Sequence, residues 1–141
     1  MDIERIQLTT HGEHGGMLVS LEQERNVPFA IRRVYYIFAT QPDVHRGQHA
    51  HRHLRQLAVA VRGSVTIRVD DGTESAEFVL NSPTQGLIMG DMVWRELYDF
   101  SDDCVLMVLA DQWYDPADYI VDYDEFVAEA TGRRRIEGAA A

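Results

Sequence analysis

The sequence predicts an all-β fold, a barrel or sandwich finished by a short C-terminal helical segment. Three observations carry that expectation. Short runs rich in β-branched and aromatic residues recur from Met17 to Ala110 with turn residues between them, the pattern of many short strands. His49 and His51 stand two apart, which is the strand period and puts both imidazoles on one face. Beyond Asp115 the composition becomes helical, around Tyr123 to Ala130.

In chain order, Ile3, Ile6 and Leu8 open a short apolar segment, and Gly12 with Gly15-Gly16 marks a turn before a strand at Met17 to Leu21. Asn26-Val27-Pro28 interrupts the chain ahead of a strand over Ile31 to Phe38. On that strand Arg33 and Tyr35 share one face, while Val34, Tyr36 and Phe38 share the other. Tyr35 is therefore the tyrosine placed in a site with Arg33, and the opposite face is packing. Gln56 to Arg62 and Ser64 to Val69 flank Gly63, and Asp71-Gly72 is a strong hairpin turn leading into Ala76 to Leu80. Asn81-Ser82-Pro83 makes another turn, Met92 to Leu97 another strand, and Cys104 to Ala110 a fully buried one. Asp115-Pro116 is a good helix start, since proline is tolerated in the first turn. Gly132 is the expected C-cap. Residues 1–132 then form a single domain, and 133–141, opening on Arg133-Arg134-Arg135, a flexible solvated tail.

With 141 residues, 45% of them hydrophobic, the chain can bury a real core. No run approaches the roughly 18 apolar residues that span a bilayer. The start, Met1-Asp2-Ile3-Glu4-Arg5, lacks the layout of a secretory signal. The single cysteine, Cys104, excludes an intrachain disulfide and suits a reducing, cytoplasmic setting. It heads an apolar run and reads as a buried structural thiol. A formal charge of −10 argues against nucleic-acid binding. All 13 positive side chains are arginine, which removes lysine Schiff-base chemistry and the usual lysine phosphate anchor. An anionic ligand therefore needs a local arginine cluster to overcome the global field. Arg32, Arg33 and Arg46 supply one, with Arg52 and Arg55 close by.

The most informative stretch is Arg46-Gly47-Gln48-His49-Ala50-His51, followed by Gln56 and Gly63. It resembles the first half of a cupin signature, in which the equivalent residues usually bind a metal inside a small β-barrel. Here the glutamate of the third ligand position is Gln56, an uncharged and poorer ligand. The second half, Gly86-Leu87-Ile88-Met89-Gly90-Asp91-Met92-Val93-Trp94, has no histidine where the fourth ligand should fall. The expectation is a cupin-type jelly-roll β-barrel retained, no metal or other cofactor, and the histidines released for other chemistry. His45 and His53 are left solvent-facing, as are His11 and His14 in their glycine turn. Trp94 either stacks on a base or fills the core, with the core favoured.

More of the chain supports a narrower resemblance. Asn26-Val27-Pro28-Phe29, Arg33 to Phe38, Arg46 to His51, Val93-Trp94 and Asp99-Phe100-Ser101 occur in order with Tyr114-Asp115-Pro116-Ala117-Asp118-Tyr119-Ile120 and Tyr123-Asp124-Glu125-Phe126. Together they resemble the dTDP-sugar 3,4-ketoisomerases, small cupins acting on dTDP-4-keto-6-deoxyglucose in deoxysugar biosynthesis. The resemblance implies a metal-independent isomerase, a homodimer formed by exchange of N-terminal strands, and an active site containing His49 and His51. Family members often carry histidine after the Trp94 position, where this chain has Arg95.

Elementary chemistry agrees. Moving a carbonyl from C4 to C3 requires loss of the C3 proton, an enediol, and a proton delivered to C4; imidazole titrates near neutrality and can do either job. His49 is favoured as base, with His51 orienting substrate or relaying a proton, though spacing alone does not separate them. Arg33 and Arg46 are the expected diphosphate anchors, with Tyr35 and Gln56 as the other substrate-binding residues. A metal-dependent cupin enzyme and a non-catalytic sugar-nucleotide binder are the alternatives. The galacto or gluco outcome at C4 is open.

Overall fold

In a computed structural model, which describes residues 1–140 and side chains as far as residue 138, strands form wherever β-branched and aromatic residues alternate. They run β1 (Ile3–Gln7), β2 (Thr10–His11), β3 (Leu18–Val19), β4 (Arg33–Ile37), β5 (Arg46–His51) and β6 (Gln56–Arg62). Next come β7 (Val65–Asp70), β8 (Ser75–Leu80), β9 (Gln85–Met89), β10 (Trp94–Tyr98), β11 (Val105–Ala110) and β12 (Tyr119–Ile120), then the helix α1 (Tyr123–Ala140). Two five-stranded sheets result, ordered β1-β9-β6-β11-β4 and β12-β5-β10-β7-β8, with β2 and β3 as a separate ribbon. All the ladders within them are antiparallel. The expected all-β jelly roll is thus present, as two sheets around one core rather than a single closed ring.

Side-chain parity sorts the apolar residues into three layers. Ala58, Ile67, Leu87, Leu97, Leu106 and Val108 point between the sheets. The alternate residues Leu57, Val59, Ile88 and Leu109 face outward, and Leu8, Val27 and Phe29 of the N-terminal segment cover them. On the second sheet Ala50, Trp94 and Ile120 face outward beneath Phe126 and Ala130 of α1. Trp94 is therefore core, 5.3 Å from the Tyr123 ring and 5.8 Å from Phe126. Cys104 is buried, as expected.

Several boundaries differ from expectation for visible reasons. The strand β9 was not foreseen, because Gly86 interrupts its short apolar run; a Cβ at Gly86 would meet Leu57 Cδ1 at 2.6 Å, so the glycine lets β9 lie close against its neighbours. Met17 to Leu21 narrows to the two residues of β3, and β10 begins at Trp94 rather than Met92. Asp115-Pro116 does start a helix, but only the 3₁₀ turn Pro116–Asp118, with the Asp115 carboxylate accepting from Ala117 N at 3.0 Å. α1 has its own cap, Asp122 Oδ1 accepting from Glu125 N at 2.9 Å. Gly132 is not its end. The helix continues through the residues expected to be a tail, where Arg133 Nη1 donates to Arg52 O at 3.4 Å and Arg134 lies 3.6 Å from Asp71 Oδ1. Residue 141 lies outside the described residues. Within the chain β1 pairs with β9, from Ile3↔Met89 to Gln7↔Gln85.

Candidate active site

A break in the ladder between β5 and β10 shapes the site. Arg95 pairs with His49, Glu96 with Gly47, and Leu97 with Arg46, so Gln48 is an extra residue bulged out of the strand. Gly47 and Gln48 both take positive φ, 79° and 56°. Directly opposed residues point to the same side of a sheet, and Arg95 and Leu97 both point inward. The bulge therefore brings Arg46 to the same side as His49, although simple alternation would send residues three apart to opposite faces. Gly47 is required there, because a Cβ would lie 2.8 Å from the Arg95 carbonyl oxygen.

The result is a cavity of about 260 Å³ between the sheets, floored by apolar residues such as Ile67, Met89 and Val108. Its polar lining is Arg33, Tyr35, Arg46, His49, Gln56, Arg95 and Tyr119. Five of the six expected site residues thus line one cavity. The sixth, His51, sits immediately behind, 2% exposed, its ring edge-on to His49 at 4.8 Å and 4.2 Å from Tyr119. Asp118 Oδ2 lies 3.3 Å from His51 Nδ1, which favours the Nδ1–H tautomer.

Electrostatics keep both imidazoles neutral. Burial lowers His49 to about 4, with the Arg95 cation acting the same way and the Gly47 carbonyl opposing it. Burial, then Arg95, also lowers His51; the Asp118 carboxylate pulls the other way, but the group stays below its ordinary range. Arg95 is itself lowered to about 10 by burial and so remains charged at neutrality.

The arginines divide by task. The Arg33 guanidinium lies 5.4 Å from the Tyr35 ring and 5.8 Å from Tyr114, and its buried Nε has no partner among the described residues. Arg52 instead holds Glu129 at 3.0 Å and the Ala117 carbonyl at 3.1 Å, and Arg55 donates to Pro28 O at 3.1 Å. Those two anchor α1 and the N-terminal segment. His45 pairs with Glu96 at 3.5 Å and is 45% exposed, away from the cavity. His53 is exposed.

The donor set does not fit a metal ion. Gln56, in the third-ligand position, has its Oε1 held by Arg95 Nη1 at 2.6 Å and its Nε2 turned to Tyr35 Oη at 3.0 Å. A buried guanidinium beside two imidazoles repels a divalent cation. Among the described residues no group of three His, Cys, Asp or Glu side chains is placed to hold one.

Sequence reasoning gave no role to three residues of the site: Arg95, Tyr119 and Asp118. Tyr119 arrives through β12, whose Tyr119↔His51 pairing places it beside the histidines, and Asp118 ends the 3₁₀ turn directly before that strand; a three-residue turn and a two-residue strand leave no periodic signal. Arg95 was noted as a departure, and the inward parity it shares with Leu97 was the available clue.

Comparison with known proteins gives a consistent result. The family model described as FdtA: WxcM-like, C-terminal matches residues 1–131. A TDP-4-oxo-6-deoxy-alpha-D-glucose-3,4-oxoisomerase of Aneurinibacillus thermoaerophilus is 50% identical over 111 residues, 79% of this chain and 80% of that protein. The crystal structure of QdtA, a sugar 3,4-ketoisomerase from Thermoanaerobacterium thermosaccharolyticum in complex with TDP, superposes with a TM-score of 0.91 at 40% identity, covering 94% of this chain and 96% of that one. A 3,4-ketoisomerase from Helicobacter canadensis gives 0.90 at 39% identity, covering 93% and 98%.

Proposed function

The chain belongs to the FdtA family of WxcM-like C-terminal proteins, and from that premise we propose that it is a sugar-nucleotide 3,4-ketoisomerase of deoxysugar biosynthesis. Its substrate is dTDP-4-keto-6-deoxyglucose, and it moves the keto group from C4 to C3 through an enediol. The observation that carries this reading is one neutral imidazole, His49, facing a cavity that also receives Arg33 and Arg46, in a chain whose net charge is −10. A neutral imidazole can accept the C3 proton. Arginines gathered against the global charge suit a diphosphate, which each can grip with two hydrogen bonds, and the Nε of Arg33, without a partner among the described residues, is one such donor.

His49 is the base at C3. His51, tied to Asp118 behind it, orients His49 or relays its proton. Gln56 and Tyr35 contact the sugar. Incubation with dTDP-4-keto-6-deoxyglucose and NMR of the product tests the reading and reports the configuration at C4; unchanged ketosugar with competent protein overturns it. Turnover should survive exhaustive chelation. Loss with EDTA that one divalent metal alone restores would favour the metal-dependent alternative.

The active form is a two-fold dimer. Val34, Tyr36 and Phe38, expected as a packing face, are 55%, 64% and 63% exposed; edge strand β4 carries the first two, and Phe38 follows it directly. A contiguous apolar face on an unpaired edge is unusual in a monomer, and a second copy covers it. In such a dimer the Ile3 to Leu21 segment crosses between copies, preserving the β1–β9 register. Light scattering showing a stable monomer at micromolar concentration overturns this. No helix among the described residues is long and apolar enough to cross a membrane, and we place the enzyme in the cytoplasm.

A further inference from the structure

Outside the cavity, Arg52 follows β5 directly and turns towards α1, away from the side that His51 faces. Its planar guanidinium serves four acceptors at once. Nε donates to Glu129 Oε1 at 3.0 Å and Nη2 to Glu125 Oε1 at 3.5 Å, both on α1. Nη1 donates to Ala117 O at 3.1 Å and to Tyr119 O at 3.4 Å. Asp118 lies between those two carbonyls. Its main-chain oxygen accepts from Arg52 N at 3.0 Å, its Oδ1 accepts from His53 N at 2.9 Å, and its Oδ2 is 3.3 Å from His51 Nδ1.

The Asp118 carboxylate is thus aimed at His51 by a segment too short to place itself. The 3₁₀ turn has three residues and β12 has two, and neither length is stable alone. The helix α1, by contrast, is seated firmly, with Phe126 and Ala130 packed on Ala50, Trp94 and Ile120. Arg52 couples the short segment to that seated helix. Arg133 closes the ring from the other side, its Nη2 reaching Glu129 Oε1 at 3.5 Å and its Nη1 reaching Arg52 O at 3.4 Å.

We propose that Arg52 is a positioning residue for the isomerisation. Fastened to α1 through Glu129, it holds residues 117–119 so that the Asp118 carboxylate stays against His51 Nδ1. This rests on the ketoisomerase reading above and gives α1 a part in it. As a stabilising contact the cluster is weak, because Arg52 is 27% and Glu125 60% exposed, and ion pairs open to solvent contribute little to folding. As a geometric device it matters far more, since displacing a catalytic group by about 1 Å can cost on the order of a hundred-fold in rate. The two roles are therefore separable.

The test uses the full chain with dTDP-4-keto-6-deoxyglucose and measures kcat, KM, TDP affinity and melting temperature. Long-range nitrogen–proton NMR without substrate reads the tautomer of His51. Arg52→Met keeps an apolar stem and removes the fork. It should lower kcat by roughly ten- to a hundred-fold and weaken the Nδ1–H signature of His51. KM and TDP affinity should be unchanged, and the melting temperature should stay within a few degrees of wild type. Asp118→Ala should lower kcat at least as far, and adding Arg52→Met to it should cost nothing further, because one path carries both effects. Losses that multiply overturn the proposal, as does wild-type kcat or an unaltered His51 signature in Arg52→Met. Should Arg52→Met fail to fold, Glu129→Gln decides. It leaves Arg52 in place but frees it from α1, so kcat and the His51 signature should fall in the same sense and by less; wild-type values of both overturn the proposal. A wild type that leaves the ketosugar unchanged removes the functional reading. The His51 signature is read without substrate, so a weakened one in Arg52→Met would still uphold the positioning and an unaltered one would still overturn it.

Discussion

The wall of the cavity made by β4, β11 and β6 is regular where it meets the site, whereas the wall made by β5 and β10 is broken at Gly47 and Gln48. β4 and β11 pair without interruption from Arg33↔Ala110 to Ile37↔Leu106, and the lining residues follow strict alternation: Arg33, Tyr35, Ile37 on β4 and Gln56, Ala58 on β6. On the broken wall β10 still alternates, with Arg95 and Leu97, but β5 lines the cavity with Arg46, Gly47 and His49, a spacing that alternation forbids. The difference teaches how one small cavity holds both proton chemistry and anion anchors. A regular ladder supplies every second residue; a bulge adds an arginine from the wrong parity to the histidine's side. The walls are joined at the Arg95–Gln56 hydrogen bond, so neither is independent of the other.

The comparison breaks most completely at the histidine of the broken wall. His49→Asn should keep the fold and TDP binding and lose on the order of a hundred- to ten-thousand-fold in turnover. It should also lose exchange of the C3 proton with deuterated water. Exchange at the wild-type rate would move the base to another residue, with His51 the next to test.

On the regular wall the effect belongs to binding. Arg33→Ala removes a charged donor whose Nε has no partner among the described residues, worth about 1.5–3 kcal/mol. TDP itself should bind roughly tenfold to a hundredfold more weakly, which calorimetry would measure. Unchanged TDP affinity would leave the diphosphate to Arg46 or place it elsewhere. Smaller again is the bulge itself. Gly47→Ala puts a Cβ 2.8 Å from the Arg95 carbonyl at φ 79°, a strain of order 1–3 kcal/mol. Its melting temperature should fall by several degrees, and turnover and TDP affinity should fall together, since Arg46 and His49 share the distorted strand. A variant as stable and active as wild type would mean the bulge does not set the wall.

That regular wall was also the legible one. Period two assigned Arg33 and Tyr35 to one face and Tyr36 to the other, and the structure places them so, because alternation is all a regular strand needs. His49 and His51 were legible for the same reason, lying beyond the bulge. The separation of their environments was not, because the residues that distinguish them, Asp118 and Tyr119, come from a 3₁₀ turn and the two-residue strand after it, far along the chain. Arg46 was chosen for its charge, and no sequence period could place it beside His49 across a bulge. The outer face tells the converse story. Val34, Tyr36 and Phe38 were expected as packing, yet nothing among the described residues covers them; a sequence pattern shows that a face is apolar, not whether the same chain covers it.

The smallest expected effect lies in the acid limb of activity, where two measurements should part. His49 acts as a base only when neutral, and burial has lowered it from 6.5 to about 4. Turnover by folded enzyme should therefore change little from pH 7.5 down to about 5, and fall only as the pH approaches 4. Stability runs differently. In the unfolded chain the same imidazole takes up its proton near 6.5, whereas the folded protein resists doing so. Its contribution to stability is then fully present above 6.5 and is lost as the pH falls from 6.5 towards 4. Chemical denaturation across that range should show decreasing stability while the initial rate of the folded fraction holds. In His49→Asn the part of the slope due to this residue should vanish, with the carboxylates and His51 contributing what remains. An activity limb near 6.5 in the wild type would mean that His49 is more solvated than its place in the broken wall indicates.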